Sequence, residues 1–225
     1  MLTRIKLVLL FGGGVLSFLG FQEYQLSRGT SVEPEKVELA ELESSGIPEN
    51  PHLELGPHWA IYAASVYEYR QGRFETGEPD DSAKVTHTYY PVISDEHPFI
   101  QAIAALEERY GNLAEAPEAE FPELEGGIAV LVKTQAFKTI GAIPDGFDRA
   151  DGVRGMVINR IDGLDAEERK LVAESFPNLD FDKLAILEQD RSPAAAGTSL
   201  SMMGGGVLLS LLGLGWMAQG FLKRD

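Results

Sequence analysis

The last apolar run of the chain, Leu200–Leu222, sets the strongest limit on how this sequence can fold. It contains no charged residue over 23 positions. As a helix it would extend roughly 34 Å, which is enough to cross a hydrocarbon core of about 30 Å. The run therefore predicts a transmembrane helix. A buried helix of a soluble core is the alternative, and the length of the run and the Lys223–Arg224 pair after it argue against that alternative.

A second apolar run, Ile5–Phe21, lies near the other end of the chain. As a helix it would extend roughly 26 Å, at the short end of the range for a membrane span. Basic residues precede it, as in a signal sequence, but Phe21–Tyr24 offers no small-residue cleavage site. We interpret the run as an uncleaved signal anchor, with a cleaved signal peptide as the alternative.

The basic residues that flank the two runs predict the orientation of the protein. Positive charge stays on the cytoplasmic side of a membrane, and here it precedes the first run and follows the second. We therefore expect a cell (inner) membrane protein in the lipid bilayer with both termini cytoplasmic. The predicted segments are a signal anchor (1–24), a juxtamembrane linker (25–52), a soluble periplasmic or extracellular domain (53–192), and a linker with the C-terminal span (193–225).

The segment between the two runs is strongly acidic. The chain has 19 basic and 35 acidic residues, and setting aside those at its ends (Arg4, Lys6, Lys223, Arg224 and Asp225) leaves a net charge of −19. Such a surface repels phosphate backbones and anionic lipid headgroups, so we expect neither nucleic-acid binding nor a domain lying flat on the membrane. The chain has no cysteine, which excludes disulfides, thiolate nucleophiles and cysteine-based zinc sites.

Aromatic and β-branched residues predict strands in four stretches, 59–70, 84–93, 128–137 and 153–161. The first two should form a long hairpin and the last two should pair with each other. Pro91 favours a sheet edge or the end of a ladder, because proline cannot donate to a ladder. One clear amphipathic helix is predicted after the strand 84–93, capped by Ser94 or Asp95 and ended by Gly111.

A second helix is predicted to open at Asp165, with Glu168 three residues later as in a capping box. The segments 37–42 and 180–190 fit either a helix or a strand, and both stay open. Together these patterns predict an α+β domain with mainly antiparallel strands and two or three helices, flanked by two transmembrane helices.

One loop is a weak candidate for a metal site. Asp145, Asp148 and Asp151 lie among flexible glycines, and three carboxylates on a tight loop could bind Ca²⁺. Their spacing does not match an EF-hand. The alternative is a solvated turn in which Asp and Gly supply the backbone geometry.

The four histidines, His52, His58, His87 and His97, follow no metal-ligand spacing. The sequence also contains no nucleophile or phosphate-binding motif. We therefore predict no cofactor and no catalytic residue, with spatial convergence of His52, His58 and His87 as the alternative.

Glycine and serine residues within the apolar runs predict helix packing, because small residues let membrane helices approach closely. The candidates are Gly13 with Ser17 in the first run, and Gly205 with Ser201, Gly206 with Ser210, and Gly213 in the second. Counting from the cytoplasmic ends of the two runs predicts that the segments 12–14 and 213–215 lie at the same depth. Packing of either glycine face on another membrane protein is the alternative. The sequence as a whole shows no internal repeat.

The order of span, outer domain and span resembles the layout of the Surf family of cytochrome oxidase assembly proteins. The resemblance covers architecture alone and matches no residue, so it implies only a role in assembling a membrane complex. We expect a non-enzymatic membrane protein whose acidic domain binds or scaffolds another membrane or extracytoplasmic protein. The alternative is an extracytoplasmic enzyme or metal-binding protein with a dispersed histidine and carboxylate site.

Overall fold

The structure is a computed structural model, and it describes residues 2–27, 30–69, 79–124, 127–158, 166–176, 179–181, 183–194 and 196–222. The chain forms two compact units. The first combines Met1–Val32 with Ser192–Asp225, and the second is Glu33–Arg191. Part of the predicted linker 25–52 therefore belongs to the second unit, where it forms a strand and a helix.

The first unit contains two long helices, α1 (Leu2–Ser27) and α5 (Ala196–Leu222). Within them, Arg4–Gln25 and Gly197–Gln219 are long and apolar enough to cross a membrane, which confirms the prediction of two such helices. Many of their large apolar side chains are exposed, as surfaces that face lipid would be. The Lys223–Arg224 pair, on which the predicted orientation depends, lies outside the described residues.

The described part of the second unit contains nine strands and three α-helices. The strands are β1 (Glu35–Val37), β2 (His52–Leu55), β3 (His58–Ile61), β4 (Val66–Tyr69), β5 (Val85–Ile93), β6 (Val130–Thr134), β7 (Phe147–Ala150), β8 (Val153–Val157) and β9 (Ala185–Gln189). The helices are α2 (Leu39–Ser45), α3 (Pro98–Tyr110) and α4 (Ala166–Ser175). Short 3-10 helices lie at Tyr62–Ala64, Leu113–Glu115, Glu118–Glu120 and Ile140–Ala142. The predicted α+β class is confirmed.

The strands form one mixed, curled sheet in the order β1-β2-β8-β9-β6-β5-β3-β7, with β4 beside β5. The pairs β1–β2 and β6–β9 are parallel, and the other six pairs are antiparallel. Only Gly56 and Pro57 join β2 to β3, although four strands lie between them in the sheet. Leu55 and His58 can be at most about 11 Å apart, so the sheet must curl until its ends approach each other.

The hydrophobic core divides between the two surfaces of this sheet, because side chains alternate along each strand. The inner surface and α2 share a large cluster that includes Leu39, Leu42, Leu53, Leu55, Tyr90, Val92, Val130, Val132, Val157 and Leu187. The outer surface and α4 share a second cluster: Tyr89, Leu131, Ile158, Val172, Leu184 and Ile186. A third cluster, with Ile61, Ile93 and Ile100, packs α3 against the sheet.

Strand β9 changes the predicted pairing of the sheet. It lies between β6 and β8, parallel to the first and antiparallel to the second, so the predicted pairing of these two strands is wrong. β9 comes from the segment 180–190, which the sequence left open. Ala185, Ile186 and Leu187 are each 0% exposed, and a strand buried on both faces has a continuous apolar run without the period that marks a strand.

The predicted strand 59–70 is interrupted by the 3-10 helix Tyr62–Ala64, which separates β3 from β4. Both parts pair with β5, as the predicted hairpin requires. Pro91 does not lie at a sheet edge, since β6 pairs with one side of its strand, but it lies between the ends of two ladders on the other side, as the alternative predicted. On the other side neither β3 nor β4 pairs with Tyr90 or Pro91, so a residue without an N–H is tolerated there.

The N-cap of α3 also differs from the prediction. His97 caps the helix, and its Nδ1 accepts a hydrogen bond from the backbone N–H of Phe99 at 3.2 Å. Asp95 instead accepts from Trp59 Nε1 and Arg149 Nη2, both at 2.7 Å. A short polar residue before a helix suits both roles, and the structure uses Asp95 to join β3 and β7.

Candidate functional site

Helices α1 and α5 are joined along one seam. Both helices carry the same spacing, Gly-x3-Ser-x2-Gly, and they run antiparallel to each other. The residues of this glycine–serine seam are Gly13, Ser17 and Gly20 on α1 and Gly206, Ser210 and Gly213 on α5. Its four glycines are buried and its two serines are half-buried. The seam thus relates the two helices by an approximate twofold axis between Gly13 and Gly206.

The backbones of the two helices touch at the glycines. A Cβ atom at Gly13 would lie 2.5 Å from Gly206 O, and one at Gly206 would lie 2.5 Å from Gly13 O. At Gly20 and Gly213 an added Cβ would come within 2.6 and 2.9 Å of backbone nitrogens on the facing helix. No side chain fits at these four positions without a shift of the helices. Backbone-to-backbone packing of this kind stabilises helix pairs in lipid, where no hydrophobic effect drives association.

Two reciprocal hydrogen bonds cross the seam. Ser17 Oγ donates to Met203 O at 3.2 Å, and Ser210 Oγ donates to Leu10 O at 3.0 Å. Each serine therefore places its hydroxyl on a carbonyl of the opposite helix, which satisfies it within an apolar surface.

A lysine adds a contact near one end of the helix pair. Lys6 Nζ donates to Trp216 O at 2.8 Å and lies 5.4 Å from the centroid of the Trp216 ring. A cation over an indole ring is attracted to its electron-rich face. This contact places the start of α1 beside the last part of α5.

The structure brings together most, but not all, of the residues that the sequence singled out for helix packing. Gly13, Ser17 and Gly206 meet as one group, whereas Gly205 has no atom within 4 Å of an added Cβ. Gly213 packs on Lys6 and Leu10, not on the segment 12–14. The helices are thus displaced by two turns from the equal-depth prediction, because matching seams and not span ends set the register.

Sequence reasoning singled out Ser210, paired with Gly206, but missed Gly20 and Lys6 as contact residues. The signal was present, since both spans contain the string GGGVL, at 12–16 and 204–208, and the seam spacing follows it.

The second unit contains a cleft of about 430 Å³ at the carboxyl ends of the parallel strands β6 and β9. Its polar lining includes His87, Lys133, Gln135, Glu188, Asp190 and Arg191. Neighbouring parallel strands end at one edge of a sheet, and their diverging connections leave a crevice there. Only His87 was singled out from the sequence, because the other residues meet through the β6–β9 pairing. We call this feature the β6–β9 cleft.

Lys133 is a buried cation of the cleft, with 8% of its surface exposed. Its Nζ donates to Glu168 Oε1 at 2.5 Å, and the same oxygen accepts from Tyr89 Oη at 2.6 Å. Lys133 Nζ also lies 5.6 Å from the centroid of the Tyr89 ring. The cluster ties α4, which carries Glu168, to β5 and β6, and it pairs one positive with one negative charge as burial requires.

His87 lies beside this lysine on the same surface of the sheet. Gln135 Nε2 is 2.7 Å from His87 Nε2, and because the amide nitrogen only donates, the ring proton of His87 belongs on Nδ1. That Nδ1 is buried and makes no hydrogen bond in the described part of the chain. It lies 3.6 Å from Glu68 Oε2, which is too long for a hydrogen bond. Elsewhere in the cleft, Arg191 Nη1 donates to Glu188 Oε2 at 2.7 Å.

Asp190 has an unusual backbone. With φ of 61° it is the one non-glycine residue of positive φ among those described, in a region that aspartate and asparagine tolerate better than most residues. Its N–H donates to Arg154 O at 2.9 Å, which fixes this turn at the end of β9. Its carboxylate side chain is exposed. The turn therefore presents a negative charge at the solvent side of the cleft.

Two tyrosines lie near the same end of the sheet. Their ring centroids, in Tyr62 and Tyr90, are 5.0 Å apart. Burial, then the neighbouring Tyr62 and Asp190, raise the pKa of Tyr90. Burial, then Asp148, raise the pKa of Tyr62. Both phenols therefore stay protonated at neutral pH.

The histidines do not converge on one site in the described residues. His52, His58 and His87 belong to β2, β3 and β5, and no group of three or more metal-binding side chains occurs in the ranges described. His58 is 1% exposed, and its Nδ1 donates to Gly56 O at 2.8 Å. Burial lowers the pKa of His58, and the bond to Gly56 opposes part of this effect. His58 is thus a neutral core residue.

The structure places the three loop aspartates along an edge strand. Asp148 lies within β7, which pairs with β3, and Asp145, Asp148 and Asp151 are all exposed. Phe147 of the same segment packs on Trp59, with ring centroids 5.7 Å apart. Aromatic packing and strand pairing therefore account for the conformation of this segment.

No protein-family model, curated protein or solved structure matches this chain. The two features must be interpreted from their own chemistry. The glycine–serine seam can hold two helices together in an apolar solvent. The β6–β9 cleft can hold a small polar molecule through charged groups of both signs.

Proposed function

We propose that this chain is a two-pass membrane protein whose acidic outer domain binds or scaffolds a protein partner within a membrane complex. The observation that supports the proposal most is the glycine–serine seam. It joins two apolar helices backbone to backbone and leaves their large apolar side chains exposed. A helix pair with polar contacts inside and apolar side chains outside suits a lipid environment.

The antiparallel seam also supports the proposed orientation. It brings the start of α1, with Lys6, beside Trp216 in the last part of α5. Both chain ends then share one side of the bilayer, and basic residues flank both spans there in the sequence. The positive-inside rule makes that side cytoplasmic, so the second unit would lie outside.

The surface of the second unit suggests the chemistry of the partner. Among its described residues, Phe121 is the only large hydrophobic residue that is strongly exposed, with 37% of its surface accessible. An apolar docking patch is therefore not evident in the ranges described, while acidic residues are abundant. One exposed acidic set lies in the last turn of α3 and in the segment after it: Glu107, Glu108, Glu115, Glu118 and Glu123. A partner that presents lysine and arginine residues complements such a surface, and salt would weaken the contact.

Affinity purification of the full chain from membranes in mild detergent tests this proposal. We expect a partner protein to copurify at about 50 mM salt and to be lost at about 500 mM salt, because exposed charges are screened. Changing the five glutamates named above to glutamine should lower its recovery. The matched control changes Asp145, Asp148 and Asp151 to asparagine and should retain the partner. Recovery of the chain alone at both salt concentrations would contradict the proposal.

Ligand binding or catalysis by the outer domain is the second candidate function. The observation that favours it is a buried lysine, Lys133, in a cleft that also contains His87 and Glu188. A concave site with convergent polar groups is the usual location of such activity.

A further inference from the structure

We propose that the β6–β9 cleft binds a small zwitterion of the α-amino acid class, with its carboxylate on Lys133 and its ammonium group on Asp190. This inference goes beyond membrane anchoring and partner binding. It depends on different residues, so each proposal can fail without the other.

The size and position of the cleft suit a small ligand. Its volume of about 430 Å³ falls in the range of roughly 300–1,000 Å³ that is usual for small-molecule pockets. It lies at the carboxyl ends of two parallel strands, where ligands of open sheets commonly bind.

Lys133 has donor capacity that the described residues do not use. An ammonium group carries three N–H donors, and in the described residues Lys133 donates one hydrogen bond, to Glu168. Its side chain is only 10% exposed, so solvent has little access to the other two donors. A buried donor normally has an acceptor. The carboxylate of a ligand would supply one and form a charge-assisted hydrogen bond.

The acidic groups of the cleft determine which carboxylate fits. Glu168 and Glu188 already accept from Lys133 and Arg191, at 2.5 and 2.7 Å. Asp190 adds a negative charge beyond these two pairs, and the whole segment between the spans is acidic. A simple anion would meet net repulsion here, whereas a ligand that also carries an ammonium group would not.

The backbone of Asp190 gives a second, independent observation. Its φ of 61° is uncommon for a residue with a side chain, and such conformations cluster at ligand sites because surrounding structure must hold them. Its N–H is fixed on Arg154 O. This bond fixes the backbone of an exposed acidic residue in the cleft lining, opposite in charge to the buried Lys133.

Isothermal titration of the full chain in detergent micelles tests the assignment. The probes are L-leucine, L-glutamine and L-serine, each compared with its N-acetyl derivative, which lacks the ammonium group, and its amide, which lacks the carboxylate. We expect saturable binding of at least one amino acid and roughly tenfold or more weaker binding of both of its derivatives. Equal binding of an amino acid and its N-acetyl form would overturn the zwitterion assignment, as would no saturable binding of any probe.

The variant Asp190→Asn separates the cleft from other sites. Asparagine tolerates the same backbone conformation, so the fold should persist while the charge is lost. Binding of the amino acid should fall to the level of its N-acetyl derivative, and the matched variant Asp151→Asn, an exposed aspartate outside the cleft, should bind as the wild type does. Unchanged binding by Asp190→Asn would place the ligand elsewhere and overturn the proposal.

The NMR resonances of the histidine rings provide a further test on the unmodified chain. The ring resonances of His87 should shift on titration, whereas those of His52, His58 and His97, which do not line the cleft, should stay in place. Shifts confined to the other three histidines would contradict the assignment.

Discussion

His58 is a core histidine whose surroundings favour its neutral form. Burial lowers its pKa below the ordinary value of 6.5, so between the lowered value and 6.5 the unfolded chain binds a proton that the folded domain does not. Stability must then fall as the pH drops through about 6.5, and His58 contributes no pH dependence well above that value.

The pH dependence can be measured by urea unfolding of the full chain, followed by Trp59 fluorescence in a Trp216→Phe background. We expect the free energy of unfolding to decrease from pH 8 to pH 5 and the variant His58→Gln to show a smaller decrease, since it removes one titrating group. Histidines 52, 87 and 97 are common to both proteins and serve as the internal reference. Equal slopes for the two proteins would show that His58 is not held neutral.

At the scale of elements, the α1–α5 seam predicts which glycines tolerate a side chain. Gly13→Ala or Gly206→Ala should weaken the helix pair, by about 1–3 kcal/mol as for overpacking of a tight interior. The cause is the close approach of the facing backbone, 2.5 Å from an added Cβ in both cases. Thermal unfolding in detergent and cross-linking between the spans would measure the loss.

Two neighbouring glycines give matched controls for this prediction. At Gly14 and Gly205 an added Cβ meets no atom within 4 Å. Alanine there should leave the helix pair intact and should favour the helix slightly, because glycine is the weaker helix former. A similar loss in all four variants would mean that the seam is not where the helices pack.

The sequence predicted the secondary-structure elements better than it predicted how the strands pair. β5 was recognisable from its aromatic and β-branched residues, although both of its faces are buried. The period of α3 was visible because the helix is buried on one side, and Gly111 marked the helix end. The pairing of β9 was not, since Ala185–Leu187 is buried on both faces and has no period. Pro91 left an edge and the end of a ladder open, because a distant interruption at Tyr62–Ala64 decides where proline fits inside a sheet.

The candidate sites were likewise predictable where they depend on local sequence and not where they depend on contacts between distant segments. Gly13, Ser17 and Gly206 were predictable, because small-residue spacing within a helix is local information. The register of α1 against α5 was not, since it depends on which of several glycine faces match. Lys133, Glu188 and Asp190 could not be selected from 35 acidic and 19 basic residues, because only the parallel β6–β9 pair brings them to one edge.

At the scale of the whole molecule, the proposed two-pass membrane protein requires that the two apolar helices of one chain pair in a defined register. The chain has no cysteine, so introduced pairs report contacts without background. Ser17→Cys with Met203→Cys tests two positions in contact, since Ser17 Oγ donates to the backbone carbonyl of Met203. Ser17→Cys with Ser210→Cys is the matched pair for the register in which the segments 12–14 and 213–215 lie at equal depth.

The most direct test is oxidation of both double variants in native membranes, followed by gel mobility. We expect a disulfide within one chain for the pair at 17 and 203. We expect little or none for the pair at 17 and 210, because residue 210 lies roughly 10 Å from residue 203 along the helix. Cross-linking of the second pair in preference to the first would contradict the register. Disulfides formed only between two chains would contradict the paired-helix anchor itself.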